Sequence, residues 1–396
     1  MEGGPVPARG EILDAPLPLS AGHGAPGPPV TFGQYFAAVT RMLSGPGEAL
    51  LRRAAGAALS LPGPLAGPIP GVEIRSERHG AFYHPARIRV ETEGGAALLA
   101  ANVAVSDPGL ALVRTEAEVL SSLSGQARDF LPAVYGVAET PLPPSFRRRP
   151  ESSPSPSFPR TPESSPSSSF RRRPESSPPP DRMARMLLTQ WFEGFFEFHL
   201  NRRGGLSVWD DDAGHRELPE DRAGAVYEAA GRIVALCYDP DTAVGLAGWN
   251  QAAGDFVVRP GDAGVRLVTA RARAALSRAG DVVTDAFWFL LNASLRLRLD
   301  RVEGTGPFAL AGGDRLAPIL RGLLSGLSGR AAETGRHPGL ARDLMGLLSG
   351  LGADHLAGAC ALLAESSNPR LSETPVLLAG AESHGRSLFE RMKDEG

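Results

Sequence analysis

The sequence predicts an α+β protein with a small antiparallel-sheet lobe and a larger, mostly helical lobe. Three observations carry that prediction. Residues 86–92, ARIRVET, alternate polar and apolar side chains with the period of a half-buried strand, then run through a glycine pair into ALLAANVAVS. From residue 219 onward, apolar residues recur at helical spacing in one segment after another. Between the two halves lies a repetitive tract of Pro, Ser and Arg, residues 141–182, with too little apolar surface to offset its chain entropy.

Residues 1–30 are rich in Pro and Gly and are expected to be disordered. They lack a basic start followed by an apolar run, so no secretory leader is expected. TFGQYFAAVTRML and GEALLRRAAGAALSL then carry apolar residues at helical spacing, divided by SGPG. A Pro-rich link closes this 31–71 extension. A small β-rich lobe is expected over 72–200, beginning with three short strands in 72–106, the GG marking a tight turn. A helix follows from Asp107, a residue suited to an N-cap, with Pro108 in its first turn and Leu112, Val119, Leu120 and Leu123 as its apolar stripe. LPAVYGVAE and ARMLLTQWFEG read as two further strands, adjacent once the repeats are removed.

The repeats are FRRRPESSP, FPRTPESSP and FRRRPESSP, starting at Phe146, Phe158 and Phe170. Lengthening a surface loop is thermodynamically mild, at about 0.6 kcal/mol per doubling. The tract therefore reads as a passenger at a hairpin tip. Its three-arginine runs offer a rival role as a nucleic-acid-binding arm. Each copy also holds a Glu, and the three phenylalanines are the only rings that could stack on bases, so nucleic acid is not expected as a partner.

The large lobe, 201–396, is expected to open with a helix over 219–238. Two short strands should flank RPGDAG within 249–271, and helices should follow over 282–301, 314–328, 338–350, 353–365 and 384–393. GLLSGL occurs twice, at 322–327 and 346–351, too short a unit to imply a solenoid.

Composition narrows the chemistry. A net charge of −3 gives no general drive toward nucleic acid or an anionic membrane. No apolar run reaches the length of a membrane span, and the expectation is a cytoplasmic protein with no membrane partner. Cys237 and Cys360 sit in apolar helical settings and read as buried thiols. Lys393 is the sole lysine and lies near the end of the chain, outside the expected folded domain. Schiff-base chemistry and Walker-type phosphate binding by lysine are thereby excluded.

The order of elements, with RTEAEVLSSL, FLPAVYG, MLLTQWFEGF and AAGDFVVRPGDAGVRLVTAR in sequence, resembles a two-lobed kinase-like domain of the protein-kinase-like or aminoglycoside-phosphotransferase-like type, over about residues 72–300. The resemblance implies an ion-pair glutamate at Glu116 (or Glu118), and it puts Asp255 at a metal-binding Asn position. It also puts Asn250 at the position of the catalytic Asp and Thr269 at that of the second metal-binding Asp. Asn250 cannot accept a proton as a carboxylate does, LLAANVAVS has no lysine, and SERHGAFYHPA is not a Gly-rich phosphate loop. The resemblance thus implies a catalytically degenerate, pseudokinase-like bacterial protein that acts as a binding or regulatory module, with an unidentified protein or small molecule as partner and no cofactor. The alternative is a divergent small-molecule phosphotransferase using ATP and Mg, with Asp255 on the metal and Asp262 or Asp239 completing the site. Glu116 and Glu193 are the candidate cofactor-binding residues, for ATP and Mg if the alternative holds.

Three further groupings stand out. His79 and His84 bracket GAFY and are expected at a surface or cleft edge. VWDDDAGH, 208–215, reads as a solvated turn, since the distal Glu of a calcium loop is missing. WFEGFFEFHL, with Glu193, Glu197 and His199 among its aromatics, is expected to be mostly core, with a binding face as the functional alternative.

Overall fold

The structure is a computed structural model that describes residues 13–18, 29–77, 82–143, 182–210, 213–247, 254–275, 277, 279–369 and 371–395. The chain forms two compact units, one of residues 1–111 with 137–188, the other of 112–136 with 189–396.

In the first unit, Pro16 bridges to Thr31 and leads into α1 (Phe32–Leu43). Thr31 and Gln34 form a capping box there, each side chain accepting the other's backbone N–H. One face of α1 buries Tyr35, Ala38, Val39, Met42 and Leu43. A short turn at Gly45–Gly47 separates it from α2 (Glu48–Ala58), as the SGPG break predicts. Arg52 on α2 donates to the Leu65 and Gly67 carbonyls, tying down the Pro-rich link.

The sheet contains β1 (Gly71–Ser76), β2 (His84–Thr92), β3 (Gly95–Ala104), β4 (Val134–Pro141) and β5 (Met183–Gln190), in the order β1-β2-β3-β5-β4. The predicted alternation sets the β2–β3 register: Ala86 opposes Ala101, Ile88 opposes Leu99 and Val90 opposes Ala97, all buried. Gly95 closes the turn with φ +131°, a conformation that favours glycine. The helix from Asp107 is present as α3 (Asp107–Leu123). The Leu142 N–H donates to the Arg182 carbonyl and the Gln190 N–H to the Ala133 carbonyl, so β4 and β5 run antiparallel. The chain therefore leaves for the repeats and returns from them at one hydrogen-bonded pair. The repeats themselves lie outside the described residues.

The second unit, which includes most of α3, also holds a feature that the sequence pattern does not show. WFEGFFEFHL and its sequel form a three-stranded meander of β6 (Glu197–Leu200), β7 (Leu206–Asp210) and β8 (Gly214–Glu217). Then come α4 (Glu220–Leu236), β9 (Val244–Ala247), the hairpin β10 (Phe256–Arg259) and β11 (Gly264–Leu267), and β12 (Ala272–Ala275), which pairs with β9. Next is α5 (Val282–Leu297), capped by Asp281 and buried along Phe289, Leu290, Leu291 and Leu295. The pair β13 (Leu299–Arg301) and β14 (Phe308–Leu310) precedes α6 (Leu316–Thr334), α7 (Leu340–Gly350), α8 (Ala353–Glu365) and α9 (Thr374–Glu395). Among the described residues no single helix is long and apolar enough to cross a membrane, and the pair α7–α8 is bent by 112°.

Glycine explains how α4 and α6 approach so closely. A Cβ at Gly326 would fall 2.6 Å from the Arg232 carbonyl oxygen, one at Gly231 2.8 Å from that of Ile319, and one at Gly322 would collide with the Glu228 carbonyl. The first GLLSGL is thus a helix-packing face. The second is not, since Gly346 and Gly350 have open space around them. Lys393, expected outside the folded domain, lies within α9, its Nζ 4.2 Å from the Phe389 ring centroid. Both cysteines are buried as expected, and burial pushes each thiol up to about 12.

Candidate functional site

Asp255 is the last residue before β10, and the start of that strand anchors it: Phe256 and Val258 are fully buried, and Val258 exchanges two backbone hydrogen bonds with Phe196. The Asp255 carbonyl accepts from Val268 N (2.8 Å), holding the chain as it leaves β11. Its side chain turns to Arg271, whose Nη1 lies 2.6 Å from Oδ1 and 2.9 Å from Oδ2. The carboxylate is 2% exposed. Burial raises Asp255 to about 6 and nearby Glu197 adds to the rise, while the Arg271 guanidinium pulls it back down.

Glu116 reaches the same short segment from α3. It is fully buried and its Oε1 accepts from Ala270 N at 3.2 Å. Two carboxylic residues distant in sequence thus grip residues 268–271, Asp255 at Val268 and Arg271 and Glu116 at Ala270. Thr269, within that grip, stands where the resemblance implies a metal-binding Asp. Asn250 lies outside the described residues. Glu193 occupies an exposed turn beside Gly194 (φ +74°). Asp262 pairs with Arg259 and accepts from Gly264 N, closing the β10–β11 turn, and Asp239 accepts from Thr242 Oγ1. Each of these two is thus held in a local turn.

A second polar cluster lies in the same unit. His199 on β6 places Nδ1 3.1 Å from Asp300 Oδ1 and Nε2 3.8 Å from Glu197 Oε2. Asp300 on β13 also accepts from Leu200 N and Arg301 N, both at 2.7 Å. The Trp209 ring lies 4.4 Å from the imidazole, and the His215 ring stacks on that tryptophan at 4.9 Å. Gly304, at φ +64°, closes the cluster, for a Cβ there would sit 2.9 Å from His199 Nε2. Burial disfavours the imidazolium, but hydrogen bonds and charge from Asp300 and Glu197 outweigh it and raise His199 to about 9. At neutral pH this is a buried imidazolium between two carboxylates.

Arg298, two residues before Asp300, has the opposite effect on a different histidine. It donates to the Ala311 carbonyl and to His384 Nδ1 (2.9 Å), while the other ring nitrogen of His384 lies 3.0 Å from Ser294 Oγ. Burial, with the adjacent guanidinium, takes His384 down to about 3 and keeps it neutral.

The sequence reading singled out Glu197 and His199 but missed Asp300, Arg298 and His384. The available signal was charge interleaved with leucine in LRLRLD, since a charged residue within an apolar run needs a buried partner. His84, expected at a surface or cleft edge, is 3% exposed: it begins β2, and the Tyr35 hydroxyl donates to its carbonyl at 2.8 Å. His79 lies outside the described residues. In VWDDDAGH, Asp210 is buried, accepting from Ala213 N and Arg216, whereas Asp211 and Asp212 are not described. Among the described residues, no group of three or more His, Cys, Asp or Glu side chains is arranged to hold a metal ion. Compared with known proteins, the chain matches no family model and no curated sequence.

Proposed function

We propose that this chain is a kinase-like protein whose phosphoryl-transfer position is closed by its own side chains, and that it works as a binding or regulatory module. The observation that carries the reading is the Arg271–Asp255 ion pair. A guanidinium contacts both oxygens of the one carboxylate that the resemblance makes a metal ligand, at 2.6 and 2.9 Å. A divalent cation at Asp255 would have to displace that guanidinium and leave it beside a second positive charge. The remaining positions do not suit magnesium and a nucleotide either: Thr269 is a poor ligand and β3 has no lysine. The element order supports the kinase-like reading, with a helix between the third and fourth strands of a five-stranded sheet, then a helix, a short hairpin and further helices.

Thermal unfolding with and without ATP and magnesium tests it. A ligand at 100 times its Kd adds about 2.7 kcal/mol, enough to move a melting transition by a few degrees. The expected result is no magnesium-dependent rise at millimolar nucleotide. A rise that Asp255→Ala abolishes would instead establish the phosphotransferase alternative.

A further inference from the structure

The β10–β11 hairpin has two unlike faces. Phe256, Val258, Val265 and Leu267 are buried on one. The register places Val257 opposite Arg266 and Arg259 opposite Gly264, so both arginines rise from the other face. Around them lie three half-buried phenylalanines. The Arg266 guanidinium carbon is 5.1 Å from the Phe195 ring centroid, 5.7 Å from that of Phe192 and 5.9 Å from that of Phe130. Arg259 lies 5.1 Å from the Phe195 centroid, and Arg232, exposed on α4, lies 5.6 Å from that of Phe130.

The charges here are unevenly matched. Arg259 has Asp262. Among the described residues, neither Arg232 nor Arg266 has a carboxylate within ion-pair distance, and the only hydrogen bond that the Arg266 side chain makes is to its neighbour's carbonyl, Val265. Partial burial and the nearby Arg259 lower the Arg266 pKa, against a smaller upward pull from Asp129 and Asp262. Among the described residues, the surface thus combines two guanidinium groups without a carboxylate at ion-pair distance with half-buried aromatic rings, the residue types enriched where proteins meet.

We infer that this Arg–Phe face of the second unit is a docking surface for an acidic, hydrophobic peptide segment of another protein. Charge complementarity calls for carboxylates at Arg232 and Arg266, and the half-buried rings call for apolar side chains between them. Asp129 and Asp262 lie close enough to act on Arg266, and they would repel a continuous polyanion such as a nucleic-acid strand. A peptide can place single carboxylates between them. The inference is independent of the closed-site reading, which is tested with nucleotide and magnesium and can fail alone.

The test is fluorescence anisotropy with the full chain and a labelled peptide that alternates Glu with Phe and Leu. A Lys-for-Glu version of the peptide and a labelled oligo-dT serve as competing probes. The acidic peptide is expected to bind, to weaken as salt rises, and to lose at least tenfold in affinity in the Arg232→Gln/Arg266→Gln double variant. Arg232→Glu, at an exposed helix position, should give a comparable loss, so the test does not depend on the double variant folding. Equal affinity in wild type and variants, binding of oligo-dT in preference to the peptide, or no peptide binding up to millimolar concentration would each overturn the inference.

Discussion

Replacing Asp300 with Asn should change how stability depends on pH as well as how large it is. A His199 midpoint raised from the ordinary 6.5 to about 9 corresponds to about 3 kcal/mol of preference for the imidazolium in the folded state. Because the folded value lies above the unfolded one, this contribution is fully present below pH 6.5 and is lost as pH rises through 9. In the variant, Glu197, 3.8 Å away and partly exposed, is the carboxylate left beside the ring. Burial then dominates, and the His199 midpoint should fall to 6.5 or lower. The new amide can keep one acceptor oxygen, but its NH2 group must face a backbone donor now served by a carboxylate oxygen, Leu200 N or Arg301 N, at a further cost of about 1–3 kcal/mol.

Asp300→Asn should therefore destabilise the protein by roughly 4–6 kcal/mol at pH 6.5 but only about 1–3 kcal/mol at pH 9.5. Urea unfolding across that range measures the difference, and NMR of histidine-labelled protein follows the ring directly. A variant whose deficit stays constant from pH 6.5 to 9.5 would refute the reasoning, as would a wild-type His199 ring that titrates at or below 6.5.

Three other perturbations follow from the packing. Gly322→Ala and Gly326→Ala should each destabilise by more than about 2 kcal/mol, because the added methyl meets backbone of α4, whereas Gly346→Ala in the second GLLSGL should be neutral or stabilise by up to about 1 kcal/mol; thermal melts of the four proteins decide. His384 should respond to acid in the opposite sense to His199: its folded value of about 3 lies below 6.5, so stability is present above 6.5 and is lost as pH falls toward 3, by at most about 5 kcal/mol. His384→Asn, which keeps an acceptor for Arg298 but binds no proton, should flatten that acid slope in unfolding titrations. Replacing residues 144–181 by a two-residue turn should leave the fold intact and raise stability by up to about 2 kcal/mol, since the Leu142–Arg182 pair already closes the hairpin; a loss of stability would show that the repeats contribute contacts.

The parts of the fold that could be read from sequence are those set by local pattern. The β2–β3 hairpin follows from period-two alternation and a glycine turn, and α8 spans the predicted 353–365. The last helix is expected over 384–393 but runs from Thr374 to Glu395, through Gly380 and Gly385. In the structure they are contact points: a Cβ at Gly385 would lie 2.5 Å from the Leu356 carbonyl, and one at Gly380 would strike Leu310. The β6–β8 meander was hidden because its aromatic run lacks clean alternation, with Phe198, His199 and Leu200 all buried in succession. The His199–Asp300 and Arg298–His384 pairs join residues far apart in the chain, and no single-sequence period records such contacts.

One chemical habit runs through the second unit. Five of its buried carboxylates are met by fixed, directional donors: Glu116 by Ala270 N–H, Asp210 by Ala213 N–H and Arg216, Asp255 by Arg271, Asp285 by Ala279 N–H, and Asp300 by His199 and two backbone amides, whereas the buried Glu373 has an Oε1 without a hydrogen-bond partner among the described residues. Donors of this kind stabilise an ionised acid in place, whereas a metal ligand has to offer its lone pairs to an incoming cation. Of the acids that the kinase-like resemblance singles out, Glu116 and Asp255 are both held in this way. Two of these fastenings fall on residues 268–271, where α3 and the chain entering β10 both hold the segment that leaves β11. If that segment is a fastened joint, Arg271→Gln should leave the buried Asp255 carboxylate unpaired and destabilise the unit by about 1.4 kcal/mol at pH 7, the limit set by its folded midpoint of about 6, and by more at higher pH. The deficit should shrink below pH 6, as Asp255 takes up a proton. A deficit independent of pH would mean that the guanidinium contributes packing rather than charge.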